Sequence, residues 1–493
     1  MKKSIRNASL IAASAVVLGL TAPVAANAST PAAAKSLDWK KCAGSGLDPR
    51  QQCATLAVPM DYADPGGRKI EIALSRIPAE NPSARRGALL LIAGGPGGTS
   101  LGDPSGKGQK LPQDVRDEYD LIGFAPRGNA PSTAVSCGLD HADLALTTLR
   151  PWPGPDGSVT GNMTAARRMS DACARNGGEL MRHISTVDNA RDIDGIRASL
   201  GERKISAWGV SYGTYVGAVY AQLFPQRTDR IVLDSNDNPD PVNPERAWLQ
   251  AGEVGVEDNF PEFAKWASTP GNPYRLADTA AEVRPLFLRL AARLDREPIP
   301  WPGANPTELD GNVLRQTMLN TLYDPDDYPA LAQLILAAQK GTVPPAPQSP
   351  PDEVLQNYTA VGAATICNDA AWPRSTAVYR KGVEESRARY PLTAGMPRNA
   401  MVCAAWPWQP KQPVRITDRG PSNVLLVQNE RDVATPLSGA LKLREALGRR
   451  AVMVTVDSTG HDAYLDNGNA CGDVTVSRFL ATGERPGKDV YCE

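Results

Sequence analysis

Ser211, Asp432 and His461 have the residue types and the chain order that nucleophilic hydrolysis needs. A serine hydroxyl attacks a carbonyl well only when a base removes its proton, and an imidazole held by a carboxylate is the usual base. Ser211 stands in Gly209-Val210-Ser211-Tyr212-Gly213, with a glycine two residues away on either side. A serine on a sharp strand-to-helix turn requires that pattern, because the residues two positions away have no room for bulky side chains. Alone, five such residues could be an ordinary glycine-rich turn; a strand before them and a helix after them give them meaning. Elbows of this kind carry their partners in the order serine, acid, histidine. His141 and His183 precede Ser211, which leaves His461 as the base. The acid is assigned to Asp432, in Asp432-Val433-Ala434-Thr435-Pro436, with Asp457 as the rival.

The tetrahedral intermediate of acyl transfer needs two N–H donors aimed at its oxyanion. One is expected from Tyr212, directly after the nucleophile. The other is expected from the loop Gly94-Gly95-Pro96-Gly97-Gly98, from Gly95 in particular, because glycine lets backbone approach a substrate closely. That loop has no Lys-Ser/Thr after it and so fails as a phosphate cradle. No Cys-x-x-Cys pair occurs and the histidines are remote from the cysteines, so no zinc site is expected.

These groups need elements to hold them. Lys69 to Ile77 alternates, as a half-buried edge strand would. Continuous apolar runs at Ala88–Ala93 and Tyr119–Phe124 predict buried strands. Asp188–Leu200 carries Ile193, Ile196 and Leu200 on one helical face and is stopped by Gly201. Lys204–Trp208 predicts the strand ahead of Ser211, Tyr212–Phe224 the helix behind it, and Arg230–Asp234 the next strand. Asn423–Gln428 and Ala451–Val456 read as strands separated by the helix Leu437–Leu447, which puts Asp432 and His461 just past strand ends. Strand and helix in alternation mean a parallel sheet with crossover helices. Between Pro241 and Gln412 the alternation stops; helical periods (Val283–Leu294, Tyr328–Gln339) are separated by Pro-rich loops. The reading is an α/β-hydrolase fold, a mostly parallel sheet flanked by helices. Its core lies in two parts, residues 29–240 and 413–493, around a mainly helical cap insertion at 241–412.

Residues 1–28 read as a secretory signal peptide. Lys2, Lys3 and Arg6 precede a short apolar run, and Ala26-Asn27-Ala28 offers a cleavage site after Ala28, so the protein is expected to be secreted and extracellular. The apolar run is shorter than a bilayer span requires. All eight cysteines follow that site, an even number suited to an oxidising compartment. Sequential pairing, Cys42–Cys53, Cys137–Cys173, Cys367–Cys403 and Cys471–Cys492, is expected because each pair closes a modest local loop. With 53 basic and 54 acidic residues and no block of like charge, neither nucleic acid nor an anionic membrane is suggested as partner.

Trp39-Lys40-Lys41-Cys42, Val58-Pro59-Met60-Asp61-Tyr62, Gly94-Gly95-Pro96-Gly97, Gly123-Phe124-Ala125-Pro126-Arg127-Gly128, Cys367-Asn368-Asp369, Gly460-His461 and the elbow itself resemble the secreted tripeptidyl aminopeptidases of actinobacteria. These are α/β-hydrolases related to prolyl aminopeptidases, and the resemblance covers most of the chain. It implies a serine exopeptidase that releases short peptides, tripeptides above all, from free N-termini. Its partners would be such peptides, with no cofactor, no nucleic acid and no stable membrane association. Ala125, Asn129-Ala130 and Leu233-Asp234-Ser235-Asn236 depart from the family pattern and bear on substrate choice rather than on hydrolysis. An exopeptidase must also pair its substrate's ammonium. Glu253 and Glu257, one helical turn apart at the start of the insertion, are expected to do so, with Asp369 next in line. The Ser211, Asp432 and His461 triad could equally serve an esterase, lactonase or amidase acting on a small secreted metabolite. A binding protein with an idle site is the non-enzymatic alternative.

Overall fold

The apolar runs become the centre of a ten-stranded sheet in the computed structural model, which describes residues 37–493. The expected signal peptide lies outside the described residues. The strands are β1 (Lys40–Lys41), β2 (Gln52–Pro59), β3 (Lys69–Ile77), β4 (Gly87–Ile92), β5 (Tyr119–Phe124), β6 (Ile205–Val210), β7 (Thr228–Asp234), β8 (Ile299–Pro300), β9 (Glu308–Leu309), β10 (Val424–Arg431), β11 (Ala451–Thr459) and β12 (Val490–Cys492). β8 and β9 pair by themselves; the others run β1-β2-β3-β5-β4-β6-β7-β10-β11-β12. From β5 to β12 every pairing is parallel, whereas β1, β2 and β3 join antiparallel.

Successive residues of a strand point to opposite faces, and here both faces are covered. In β4, Leu90 and Ile92 join the helices Thr186–Ser199 and Tyr212–Leu223 through Ile193, Ile196, Val216 and Val219. Leu89 and Leu91 face the other way, towards Val115 and Phe479. This is why β4 reads as an unbroken apolar run, and β5 and β6, which carry Asp120 and Ser206, are likewise buried throughout. β3 corrects one expectation: it is not an edge strand, because β2 covers one side and β5 the other. Alternation reports which face of a strand is wet and is silent about its place in the sheet.

Between β7 and β10 the chain is mainly helical, and its residues go to two places. The helices Pro244–Ser268, Ala280–Leu294, Gly311–Thr321 and Tyr328–Gln339 build a cluster of their own around Phe260, Phe263, Phe287 and Leu331. The helix Asp352–Asp369 instead sends Ala360, Val361 and Ala364 into the cluster under the sheet. Its small residues permit close approach: a Cβ on Gly362 would lie 3.0 Å from the carbonyl oxygen of Pro96. The disulfides pair sequentially, as expected, and Cys367–Cys403 ties the end of that helix to the turn Val402–Ala405. Among the described residues no cysteine is free and no helix is long and apolar enough to cross a membrane.

Candidate active site

Parallel strands align their carboxyl ends, so the loops after β4, β6, β7, β10 and β11 meet at one edge of the sheet, the edge where such folds hold their ligands. Ser211 closes β6 with φ 58° and ψ −130°, a conformation that costs a non-glycine residue energy, and Tyr212 opens the next helix at once. The flanking glycines are steric necessities. A Cβ on Gly209 would lie 2.4 Å from the oxygen of Gly213, and one on Gly213 would lie 2.4 Å from that of Ile92. The Ser211 N–H donates to the Asp234 carbonyl at 3.0 Å, which fastens the elbow to the end of β7.

Asp432 and His461 meet 29 residues apart in sequence. The two carboxylate oxygens of Asp432 lie 2.9 and 3.0 Å from Nδ1 of His461. Asp432 is itself held by the N–H groups of Ala434 (2.8 Å) and Thr435 (2.9 Å) and by the Thr435 hydroxyl (2.9 Å). His461 is fixed from the other side: its N–H donates to the Tyr323 carbonyl at 2.7 Å, and the Tyr323 ring stands edge-on at 5.2 Å. Burial opposes a charge on this imidazole, but the adjacent Asp432 carboxylate and its hydrogen bond outweigh it and push the pKa above the ordinary value. The rival acid is elsewhere: Asp457 pairs with Arg431 at 2.6 Å and is half exposed. His141 is an exposed partner of Asp352, and His183 lies near Asp61.

The loop after β4 passes directly over Ser211. A Cβ on Gly94 would sit 2.8 Å from Cβ of Ser211 and 3.3 Å from its Oγ. Gly95, the expected donor, has φ 124°, and a Cβ there would strike the nitrogens of Gly97 and Gly98. The close approach that demands glycine is therefore at Gly94, while Gly95 is glycine because of its own turn. Asn129, one of the departures from the family pattern, holds this loop by donating to the Gly97 carbonyl at 2.5 Å. The N–H of Tyr212 belongs to the first helical turn, whose amides have no acceptor within the helix.

Glu253 and Glu257 do not face the site. Glu253 is buried and accepts from Nε of Arg398 at 3.1 Å and from the Ser386 hydroxyl at 2.8 Å. Glu257 pairs with Arg284 at 2.8 Å. The helix Pro244–Ser268 turns Trp248, Leu249, Gly252 and Val256 towards a cavity of about 250 Å³ instead. Both carboxylates are already neutralised by arginines, which corrects the expectation that they receive an ammonium. A different group of acids is buried and does not line this cavity. Glu245 precedes Trp248 and Leu249 by a turn, Asp369 follows Ile366 by a turn, and Asp237 stands shortly after β7. Burial pushes Asp237 and Asp369 up to about 7, and burial with the nearby Asp369 and Asp237 charges holds Glu245 well above the ordinary carboxylate range. None of the three forms a salt bridge among the described residues, and both oxygens of Glu245 lack a hydrogen-bond partner there.

A family model described as TAP-like protein matches residues 390–492. The tripeptidyl aminopeptidase of Streptomyces lividans is 32% identical over 482 residues, 95% of this chain and 88% of that protein. The chain belongs to the tripeptidyl aminopeptidase family. Serine protease Hip1 of Mycobacterium tuberculosis is 27% identical over 513 residues, 98% of this chain and 96% of that one. A solved structure of proline iminopeptidase from Mycobacterium smegmatis matches 83% of this chain and 91% of that chain at 13% identity and a TM-score of 0.36. This tripeptidyl aminopeptidase relative is thus a serine hydrolase of the peptidase kind on an α/β-hydrolase fold.

Sequence reasoning missed Thr435, Tyr323, Glu245 and Asp237. Thr435 was within reach, because a hydroxyl three residues after a turn aspartate is a common way to hold its carboxylate. Tyr323 acts through a backbone carbonyl, which leaves no mark on residue type.

Proposed function

We propose that the protein is an exported exopeptidase that releases short peptides, tripeptides among them, from free N-termini by acyl transfer. Ser211 attacks the scissile carbonyl and passes its proton to Nε2 of His461. Asp432 orients the ring and stabilises its charged form, and the N–H groups of Tyr212 and Gly95 hold the oxyanion. His461 then protonates the departing amine, and a water molecule repeats the sequence on the acyl-enzyme. The observation that carries the reading is the Asp432–His461 pair at the same sheet edge as the strained Ser211 elbow, beside an apolar cavity large enough for a few side chains. Residues 241–412 act in this reading as the cap over that edge. The four disulfides support export, since such bonds persist in oxidising compartments.

Preference for a free N-terminus is assigned to Glu245, Asp369 and Asp237. Glu245 has no hydrogen-bond partner and none of the three forms a salt bridge among the described residues, so a substrate ammonium would stabilise their charge. The test compares a tripeptide anilide, its N-acetylated form and a simple aryl ester, on the wild type and on Glu245→Gln with Asp369→Asn. The wild type is expected to favour the free amine at least tenfold, and the double variant to lose that preference while still cleaving the ester. Ester cleavage with no anilide cleavage in the wild type would overturn the peptidase reading in favour of an esterase.

A further inference from the structure

His461 has a carboxylate on each side of its ring. Asp432 holds Nδ1, and Oδ1 of Asp462 lies 3.6 Å from Nε2, the nitrogen that has to receive the Ser211 proton. Asp462 reaches that position through a backbone at φ 67° and ψ 95°, where glycine would be at ease and an aspartate is strained. Strain of this kind beside a reactive group needs a compensating reason. The turn is clamped in place: the N–H of Asp462 donates to the Ser235 hydroxyl at 3.0 Å, and those of Ala463 and Tyr464 donate to the Asp234 carboxylate at 2.8 and 3.0 Å. The second oxygen of Asp462 is taken by Lys107, whose Nζ lies 2.6 Å away although the two residues are 355 positions apart. Lys107 comes from the helical turn Lys107–Lys110 and borders a cavity of about 270 Å³ with Gly94, Gly95, Asp103 and Trp208.

We propose that Lys107 is a positioning residue for the hydrolysis: it holds the Asp462 carboxylate back from Nε2 of His461 and keeps that nitrogen able to accept the Ser211 proton. The proposal rests on the reading of Ser211 and His461 as nucleophile and base. A carboxylate free to bond Nε2–H, opposite Asp432 at Nδ1, would stabilise the doubly protonated ring, which is no base. With one oxygen tied to a lysine, Asp462 stays close enough to favour the imidazolium that forms during attack without capturing it beforehand. Asp432 and Asp237 face the imidazole, together with the Tyr323 ring; Asp103 and Asp234 face Lys107, and Lys110 faces Asp462. Lys107 is the group that lies within hydrogen-bond distance of Asp462 Oδ2.

The test is the pH profile of kcat/KM on a free-amine tripeptide anilide for wild type, Lys107→Met, Asp462→Asn and the double variant. Lys107→Met is expected to move the acid limb about one unit to higher pH, which is a roughly tenfold loss on the acid side that shrinks as pH rises. Adding Asp462→Asn should return the limb to the wild-type position or below it. An unmoved limb in Lys107→Met, or a loss equal at all pH values that Asp462→Asn does not rescue, would overturn the proposal. The imidazole of His461, followed by NMR in the Ser211→Ala background, gives a readout independent of turnover: its pKa should rise with Lys107→Met and fall with Asp462→Asn. Should Lys107→Met fail to fold, Asp462→Asn alone decides, since an unchanged His461 titration there sinks the idea. Activity surviving in Ser211→Ala would instead discredit the nucleophile assignment and leave the Lys107 titration result standing.

Discussion

At the scale of single residues, the site is a set of side chains each held by a neighbour that does no chemistry itself. Asp432 is held by the Thr435 hydroxyl and two backbone N–H groups, and His461 by the Tyr323 carbonyl. Ser211→Ala should lower turnover more than a thousandfold, because loss of a triad nucleophile removes the acyl-enzyme route. A serine-directed phosphonate should then label only the wild type, and the melting temperature should stay within about 2 °C, since that hydroxyl makes no hydrogen bond among the described residues. Residual activity near one per cent would remove Ser211 from the role. The sign of the pH dependence follows from His461. In the proposed reaction its neutral form is the base, and Asp432 stabilises the charged form against burial, so activity is expected to rise as pH climbs through a pKa above about 6.5. The acid limb of kcat/KM is expected above that value, and a flat profile down to pH 5 would exclude a histidine base.

At the scale of elements, the helix Pro244–Ser268 has two jobs on two of its faces. Gly255 lets it press on the acid turn: a Cβ there would lie 2.9 Å from the Asp432 oxygen and 2.8 Å from that of Val433. A turn earlier, Gly252 borders the cavity, and a Cβ there would meet nothing within 4 Å. Gly252→Trp should therefore fill space that a peptide needs without disturbing the fold. The expected result is a loss of about a hundredfold in kcat/KM on tripeptide anilides, with aryl acetate hydrolysis reduced less than threefold. Equal losses on both substrates would mean that the cavity does not hold the peptide. That helix carries Pro261 as well as both glycines, which is why its 25 residues were only partly legible as a helix in the sequence. The strands β4 and β5 were legible throughout and β6 in most of its length, because residues buried on both faces leave largely apolar runs.

Across the whole molecule, motifs that looked like separate signatures are parts of one buried knot. Arg127 is fully buried; it donates to both oxygens of Asp192 at 2.7 Å and to the carbonyls of Pro59, Met60 and His183. The Tyr62 hydroxyl donates to the same aspartate at 2.6 Å. The Pro126-Arg127-Gly128 and Val58–Tyr62 motifs thus join the end of β2 and the loop after β5 to the helix Thr186–Ser199. Arg127→Met would leave the Asp192 charge buried with little to balance it, at an expected cost of about 3–5 kcal/mol in unfolding free energy. Chemical denaturation checks this, and a change under about 1 kcal/mol would mean that Asp192 takes up a proton instead. In the folded variant, kcat should change little, since the knot touches none of the residues assigned to hydrolysis.

What the sequence determined by itself follows from short-range physics. The elbow glycines, the doubly buried strands and the local disulfide loops leave their mark in residue type and short spacing, whatever the distance along the chain to the groups that pack on them. The order of serine, acid and histidine added the rest of the triad assignment. Only the tertiary structure put Asp432 beside His461 and Asp457 beside Arg431, turned Glu253 and Glu257 towards Arg398 and Arg284, and brought Lys107 to Asp462. A charge shows its type in a sequence but not its partner. The field at a carboxylate falls off over a few ångströms, and which cation stands within that distance is settled by how remote segments pack.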